Sequence, residues 1–281
     1  MIKSIAIKRS MHDQLTNMED VVAIEEPLEI QLEFGASNER KLQSLSVTMR
    51  TPGNDFELAV GFLLTEGLIT SYANLATPAT CATGHNRILV RLHDGFDAKL
   101  DNLKRNFYTT SSCGVCGKQS IEAIHQVCNV IADTSPNTID LKQIATLPSR
   151  LMAVQKTFVS TGGIHAAAFF DNDGNLLNFR EDVGRHNALD KLIGVEIIKS
   201  KGDNLNLSQL ILLLSGRASF ELIQKAAMAG IKVVCAIGAP SSLAVETAEA
   251  FDITLIGFLK SQSCNVYSKA DRIKKEQYHE N

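Results

Sequence analysis

From residue 185 onward the chain switches repeatedly between two apolar patterns, and this alternation restricts the fold more than any other feature. Residues 185 to 200 fit a helix, Leu210 to Leu214 a strand, 218 to 229 a helix, Lys232 to Ile237 a strand, 241 to 251 a helix and Ile253 to Leu259 a strand. The strand segments are apolar throughout rather than at every second residue. Strands that read this way are covered on both faces, and their alternation with helices builds a parallel sheet in an α/β fold. Just before this region, His165 to Phe170 and Leu176 to Glu181 flank the turn Asp171-Asn-Asp-Gly174 and read as a β-hairpin. A helix is expected from about Pro148 to Val159, after a turn cluster at Thr134-Ser-Pro-Asn-Thr138.

The N-terminal third has a different texture. Leu28, Ile30, Leu32 and Phe34 alternate with polar neighbours, the mark of a half-buried sheet, with Val21 to Ile24, Leu45 to Met49 and Ile88 to Leu92 as further strands. Thr51-Pro-Gly-Asn-Asp55 opens a helix in which Asn54 is placed to cap and Glu57 to reach back, with Phe56, Ala59, Val60, Leu63 and Leu64 buried and Gly67 as the stop. Cys81 and His85 read as a small apolar residue and a turn histidine in a loop, with no ligand role. The expected layout is an N-terminal α+β domain over 1–108, a loop over 109–118, a second domain over 119–268 and a charged tail over 269–281.

Charge and cysteine usage narrow the function. The 28 basic and 31 acidic residues leave a formal charge of −3, which supplies no general field for nucleic acid or an anionic membrane, so an anion site has to be local. Six cysteines in 281 residues, four of them far apart, do not resemble a secreted disulfide scaffold. The first nine residues lack the apolar core of a signal peptide, and Leu210 to Leu214 is too short to span a bilayer. These features imply a cytoplasmic location.

Chemistry concentrates at Ser111-Ser-Cys-Gly-Val-Cys-Gly-Lys118. Two thiols three residues apart, in a Ser/Gly setting, precede Ile121, Ile124, Val127, Val130 and Ile131 at helical spacing, so Cys113 and Cys116 belong at or before a helix N-terminus. The dipole there and Lys118 favour a thiolate. Zinc is the rival occupant, through Cys113, Cys116, His125 and Cys128. A zinc base deaminase would need an HxE motif upstream and a proline before the pair, and neither is present. Thioredoxin-like exchange would expect a preceding βαβ unit.

Three turns in the C-terminal half carry residues that suit an anion: Arg185 and His186 in Asp182-Val-Gly-Arg-His186, Arg217 in Ser215-Gly-Arg217, and two hydroxyls in Ala239-Pro-Ser-Ser242. A cation at a helix start is unfavourable until a phosphate joins it, and in open parallel sheets such turns lie at the carboxyl edge where ligands bind. The competing readings are a salt bridge from Arg185 to Asp182 or Asp190, and a surface arginine at 217. Gly162-Gly163 reads as a turn, and His165 as a base, a ligand contact or a buried strand-start histidine.

The motifs Ser111 to Gly117, Arg180-Glu-Asp-Val-Gly-Arg-His-Asn-Ala-Leu-Asp-Lys191, Ser215-Gly-Arg217 with Glu221 and Lys225, Gly257-Phe258 with Asn265-Val-Tyr267, and Asn54 to Gly67 together resemble the formate dehydrogenase accessory sulfurtransferase family, FdhD, from about residue 25 to 268. The resemblance implies a cytidine-deaminase-like C-terminal domain without the deaminase zinc, beside the smaller α+β domain. It implies a sulfurtransferase that takes sulfur from a cysteine desulfurase as a persulfide on Cys113 and passes it to the molybdenum cofactor of formate dehydrogenase, with Cys116 either attacking the inner sulfur or holding the persulfide. It further implies that Mo-bis(molybdopterin guanine dinucleotide) is bound as cargo at Phe258, Leu259, Lys260, Ser261, Gln262 and Ser263, in a homodimer with no permanent cofactor. Arginine is more usual in the family where Lys260 stands, a change that keeps the charge and loses the bidentate fork. The alternative is a non-enzymatic cofactor chaperone with structural zinc at the CxxC.

Overall fold

The computed structural model describes residues 1–96, 138–201 and 206–274, with the backbone alone at 78–83. Cys113, Cys116, His125 and Cys128 lie outside the described residues. Strands β1 (Ile2–Met11) and β2 (Gln14–Ala23) form a separate antiparallel hairpin. A four-stranded sheet follows, in the order β4-β3-β6-β5, from β3 (Glu26–Phe34), β4 (Lys41–Arg50), β5 (Leu75–Gly84) and β6 (Arg87–Leu92). Its alternation is explained by its two faces. Leu28, Ile30 and Leu32 point into the core, while Glu29 and Glu33 point outward and pair with Arg87 and Arg91 of the parallel neighbour at 2.8 and 3.0 Å. Cys81 belongs to β5 and His85 to the exposed turn after it, so the expected loop is a strand.

The second sheet has six strands in the order β12-β11-β10-β9-β7-β8. β9 (Ile211–Leu214), β10 (Val233–Ala236) and β11 (Thr254–Gly257) are parallel; β7 (His165–Phe170), β8 (Leu176–Asp182) and β12 (Asn265–Ser268) run antiparallel to their neighbours. The sheet is therefore mixed rather than wholly parallel. Both faces are buried at the inner strands β7, β9, β10 and β11, which is why these read as unbroken apolar runs, while the edge strands β8 and β12 are partly exposed and mixed in polarity. Ala167, Phe169, Leu212 and Leu214 enter one core, while Ala166, Ala168, Phe170, Ile211 and Leu213 enter the other.

Helix α1 (Asp55–Thr65) rests on the four-stranded sheet. Its start departs from expectation: Asn54 is left-handed (φ 58°) and makes no side-chain cap, and Glu57 reaches Arg180 instead. Short helices α2 (Leu141–Ile144), α3 (Leu147–Met152) and α4 (Lys156–Thr161) follow. The single helix expected over 148–159 is broken where Lys156 N–H donates to the Val154 carbonyl at 2.9 Å, a bond too short in sequence for a helix. Gly162 caps α4 in the left-handed region, as a turn glycine does. Helices α5 (Arg185–Ser200), α6 (Phe220–Met228) and α7 (Ser242–Ala250) join the main core. That core runs through the contact between α1 and α5, where Gly61 and Gly194 let the two backbones touch. A Cβ on Gly61 would lie 1.8 Å from the Asp190 carbonyl oxygen, and one on Gly194 would lie 1.8 Å from that of Glu57. No described helix is long and apolar enough to cross a membrane.

Candidate functional site

Strand direction gathers the expected anion residues on one edge. β9, β10 and β11 are parallel and end at Leu214, Ala236 and Gly257; β8 runs antiparallel to β7, and β7 antiparallel to β9, so β8 also ends on that edge. The turns after these four strands carry Arg185 and His186, Ser215 to Arg217, Gly238 to Ser241, and Phe258 to Ser263. β7 begins there with His165. The turns are stitched together: Gly238 N–H donates to the Gly216 carbonyl (2.9 Å), Ala218 N–H to Ala239 (3.1 Å) and Phe258 N–H to Gly238 (3.0 Å). Glycine is required for this close approach, since a Cβ on Gly238 would sit 2.9 Å from the Arg217 nitrogen, and one on Gly216 would sit 3.3 Å from the His165 ring.

Arg185, Arg217 and Lys260 on this edge make no ion pair with a carboxylate among the described residues, while His186 Nε2 lies 3.9 Å from the Glu221 carboxylate. Gly184 caps α5, so Arg185 and His186 open its first turn, where the helix dipole disfavours positive charge. Neither Asp182 nor Asp190 pairs with Arg185. Asp182 binds Lys191 at 2.7 Å, and Asp190 binds Lys225 at 2.9 Å. The Nε atoms of Arg185 and His186 (Nε2) are buried without a hydrogen bond among the described residues. Arg217 and Lys260 are exposed and without an ion pair among the described residues, and the Lys260 N–H closes the 260–263 turn onto the Ser263 carbonyl at 2.9 Å. Arg217 lies in the turn between β9 and α6, directly after the strand as its spacing predicts. Of the two hydroxyls expected at 241–242, Ser241 is consumed as a cap that accepts from Ala244 N–H. Phe258 combines 44% exposure with a left-handed φ of 50°, an unusual conformation for an aromatic residue.

Burial and positive neighbours fix the protonation states. Burial, then the Lys225 and Arg185 charges, press the His186 pKa down to about 4 against the opposing pull of Glu221. Burial and Arg185 lower His165 as well, opposed by Asp182. Both rings are therefore neutral near pH 7, free to donate or accept one hydrogen bond. For Lys225, burial would lower the pKa, but Asp190 and Glu66 outweigh it and the ammonium persists.

Two buried networks hold the edge in place. Asp182 accepts from Lys191, from Thr51 N–H (3.1 Å) and from Gly184 N–H (2.8 Å), and Lys191 donates to the Thr51 carbonyl (2.8 Å). Asn187 donates to the Met49 carbonyl (2.7 Å) and accepts from the Thr48 hydroxyl (3.1 Å). These bonds lock the start of α5 to the end of β4. Lys225 donates to Thr65 and Asp190, each at 2.9 Å, and pairs with Glu66 at 3.3 Å, beside a cavity of about 160 Å³ that His186 also lines. The 180–191 motif thus divides by role: Asp182, Gly184, Asn187, Asp190 and Lys191 build, while Arg185 and His186 face the site. Sequence spacing gave no signal for the partners at Thr51 and Thr65, which are more than a hundred residues away.

The FdhD/NarQ family model matches residues 23–274. A protein from Mycolicibacterium paratuberculosis called sulfur carrier protein FdhD is 47% identical over 261 residues, covering 90% of this chain and 92% of its own. One of the same name from Picrophilus torridus is 44% identical over 254 residues, covering 90% and 92%. A crystal structure from Desulfotalea psychrophila, described as a formate dehydrogenase accessory protein, superposes with a TM-score of 0.70 at 20% identity, over 97% of this chain and 99% of that one.

Proposed function

The chain belongs to the FdhD/NarQ family, and from that premise we propose that it is a sulfur carrier that serves formate dehydrogenase, loading sulfur on Cys113 and delivering it to a guanine-containing molybdenum cofactor bound at the carboxyl edge of the six-stranded sheet. The observation that carries the cofactor half is the set of unpaired cations on that edge: Arg185, Arg217 and Lys260, with Arg185 Nε and His186 Nε2 buried and unbonded. A buried donor without an acceptor costs about 1–3 kcal/mol, and a phosphate oxygen would relieve it. The exposed ring of Phe258 offers a face to a guanine or pterin. Lys191, Asp182 and Asn187 hold Arg185 and His186 in register, and the Lys225 network supports His186 from below.

Sulfur loading needs no outside oxidant. The Cys113 thiolate attacks the terminal sulfur of a persulfide on a cysteine desulfurase; a new S–S bond forms at Cys113, the donor's S–S bond breaks, and the donor cysteine leaves as a thiolate. A low thiol pKa favours the step. For delivery, the Cys116 thiolate either attacks the inner sulfur, so that a Cys113–Cys116 disulfide forms, the bond to the terminal sulfur breaks and that sulfur leaves as hydrosulfide for the metal of the cargo, or it only holds the persulfide while an external thiol makes the same attack and ends as the mixed disulfide with Cys113. In this reading the six-stranded sheet is a cytidine-deaminase-like scaffold, the protein works in the cytoplasm as a homodimer, and Mo-bis(molybdopterin guanine dinucleotide) is cargo rather than a resident group.

The test is maturation of formate dehydrogenase in cells that carry Cys113→Ala in place of the parent chain, with metal analysis of both purified proteins. Loss of maturation with a folded, metal-free protein is expected. Full maturation by Cys113→Ala, or stoichiometric zinc lost with that substitution, overturns the persulfide role and favours a zinc-bearing chaperone.

A further inference from the structure

Several carboxylates around the carboxyl edge are spent within the fold: Asp182 on Lys191, and Asp190 and Glu66 on Lys225. Glu221 has no such cation at bonding distance among the described residues. It stands in the first turn of α6 with its side chain 44% exposed, and its Oε2 lies 3.9 Å from His186 Nε2. That separation is too long for a hydrogen bond, and the ring is neutral near pH 7, so the contact is no salt bridge. The carboxyl is ionised all the same. Burial would raise its pKa, but its own backbone N–H, the Ser219 hydroxyl, His186 and Arg185 outweigh burial and hold it below the usual range.

A carboxylate in a first turn suits the helix dipole, and that role asks only for charge. The position of Glu221 asks for more. It shares the edge with Arg185, Arg217 and Lys260, which suit phosphate, and it neighbours the buried, unbonded Nε2 of His186. Phosphate alone would be repelled by a carboxylate at that spot. A ligand that fits brings negative charge to the cations and hydrogen-bond donors to Glu221. A carboxylate accepts only, through two oxygens side by side, and its match is two N–H donors side by side.

We propose that Glu221 is a specificity-determining residue of this edge and reads the aminopyrimidinone edge of the cargo, a ring N–H beside an exocyclic amino group. The inference rests on the cargo reading of the site. Guanine carries that edge and so does a pterin, two sources of one chemistry. The other bases do not. Adenine and cytosine set their amino group beside a ring-nitrogen acceptor, uracil flanks its N–H with two carbonyls, and hypoxanthine keeps the ring N–H but lacks the amino group. Each turns an acceptor or an empty position toward one carboxylate oxygen. Losing one charge-assisted bond of the pair costs about ten- to a hundredfold in affinity.

The experiment is titration calorimetry of the full chain and of Glu221→Gln with GDP, IDP, ADP and hydroxymethylpterin. Glutamine keeps the shape and turns one acceptor into a donor. With guanine as the source, the parent binds GDP at least tenfold tighter than IDP or ADP, and the variant loses at least tenfold toward GDP while IDP changes little. With a pterin as the source, GDP and IDP bind the parent equally, and affinity for hydroxymethylpterin falls at least tenfold in the variant. A parent that binds GDP and IDP equally and binds no pterin overturns the proposal, whatever the variant does, and leaves the cargo reading standing. A variant that shifts GDP, IDP and ADP alike overturns it too, since Glu221 would then act through charge or fold alone, as does a variant with the parent's affinities throughout. A parent that binds none of the four overturns the cargo reading and the proposal together.

Discussion

Replacing Gly194 by alanine tests the packing that positions α5 and its two site residues. Two effects oppose each other. Alanine favours an exposed helix interior over glycine by about 1 kcal/mol. Here, however, the new Cβ would lie 1.8 Å from the Glu57 carbonyl carbon's oxygen and 2.7 Å from the carbon itself, both of them backbone atoms of the facing helix. Optimal contact is about 3.5 Å, so α1 and α5 must part by roughly 1.5 Å over a fully buried interface. Overpacking of this kind costs about 1–3 kcal/mol and more where no flexible side chain can yield, so it outweighs the propensity gain. The expected net loss is about 2 kcal/mol, which lowers Tm by roughly 4–8 °C. Thermal unfolding followed by circular dichroism reads this directly, with Lys199→Ala, on the exposed end of the same helix, as the neutral control. Should Gly194→Ala match or exceed the parent in Tm, the account of the α1–α5 contact is wrong.

Further expectations follow from the same geometry. Lys191→Met leaves the Asp182 carboxylate buried without its cation and should cost about 3–5 kcal/mol by urea unfolding; a change under 1 kcal/mol would show that the pair does not anchor α5. Arg217→Ala should weaken binding of a guanine nucleotide by about 1.5–3 kcal/mol in calorimetry while Tm stays put, because the side chain has no partner to lose among the described residues; equal affinity removes Arg217 from the site. The His186 ring, held to about 4 in the fold against 6.5 for the free group, binds its proton more readily in the unfolded chain. Stability should accordingly fall as pH drops from about 6.5 toward 4, and His186→Gln should flatten that slope. A bound phosphate ligand should move the ring's NMR titration upward, and a midpoint already above 6.5 without ligand would contradict the burial argument.

Much of the fold was legible because the pattern and its physical cause coincide. Leu210 to Leu214 and Lys232 to Ile237 read as strands covered on both faces, and their alternate residues do enter two separate cores. Leu28, Ile30 and Leu32 announced a one-sided sheet for the same reason. What escaped depended on distant partners. Asn54 reads as a cap until one sees that Arg180, far along the chain, draws Glu57 away and that the backbone at 54 is left-handed. The break at Val154 to Lys156 has no glycine or proline to mark it. In the candidate site, Arg185, His186 and Arg217 could be picked out singly, because cations at helix starts and after strands break a local rule, whereas the 258–263 turn came only through the family resemblance. That they share one edge follows from the strand order. The partners of Asp182 and Asp190 were ambiguous in sequence, since Arg185 stood nearer to both than Lys225 did to Asp190.

The most direct measurement is intact and peptide mass spectrometry of the purified chain after incubation with a cysteine desulfurase and cysteine. The account predicts a gain of one sulfur atom, removed by a reducing thiol, mapped to Cys113 and absent from Cys113→Ala. A chain that gains no sulfur, or that carries it on another cysteine in both proteins, would contradict it.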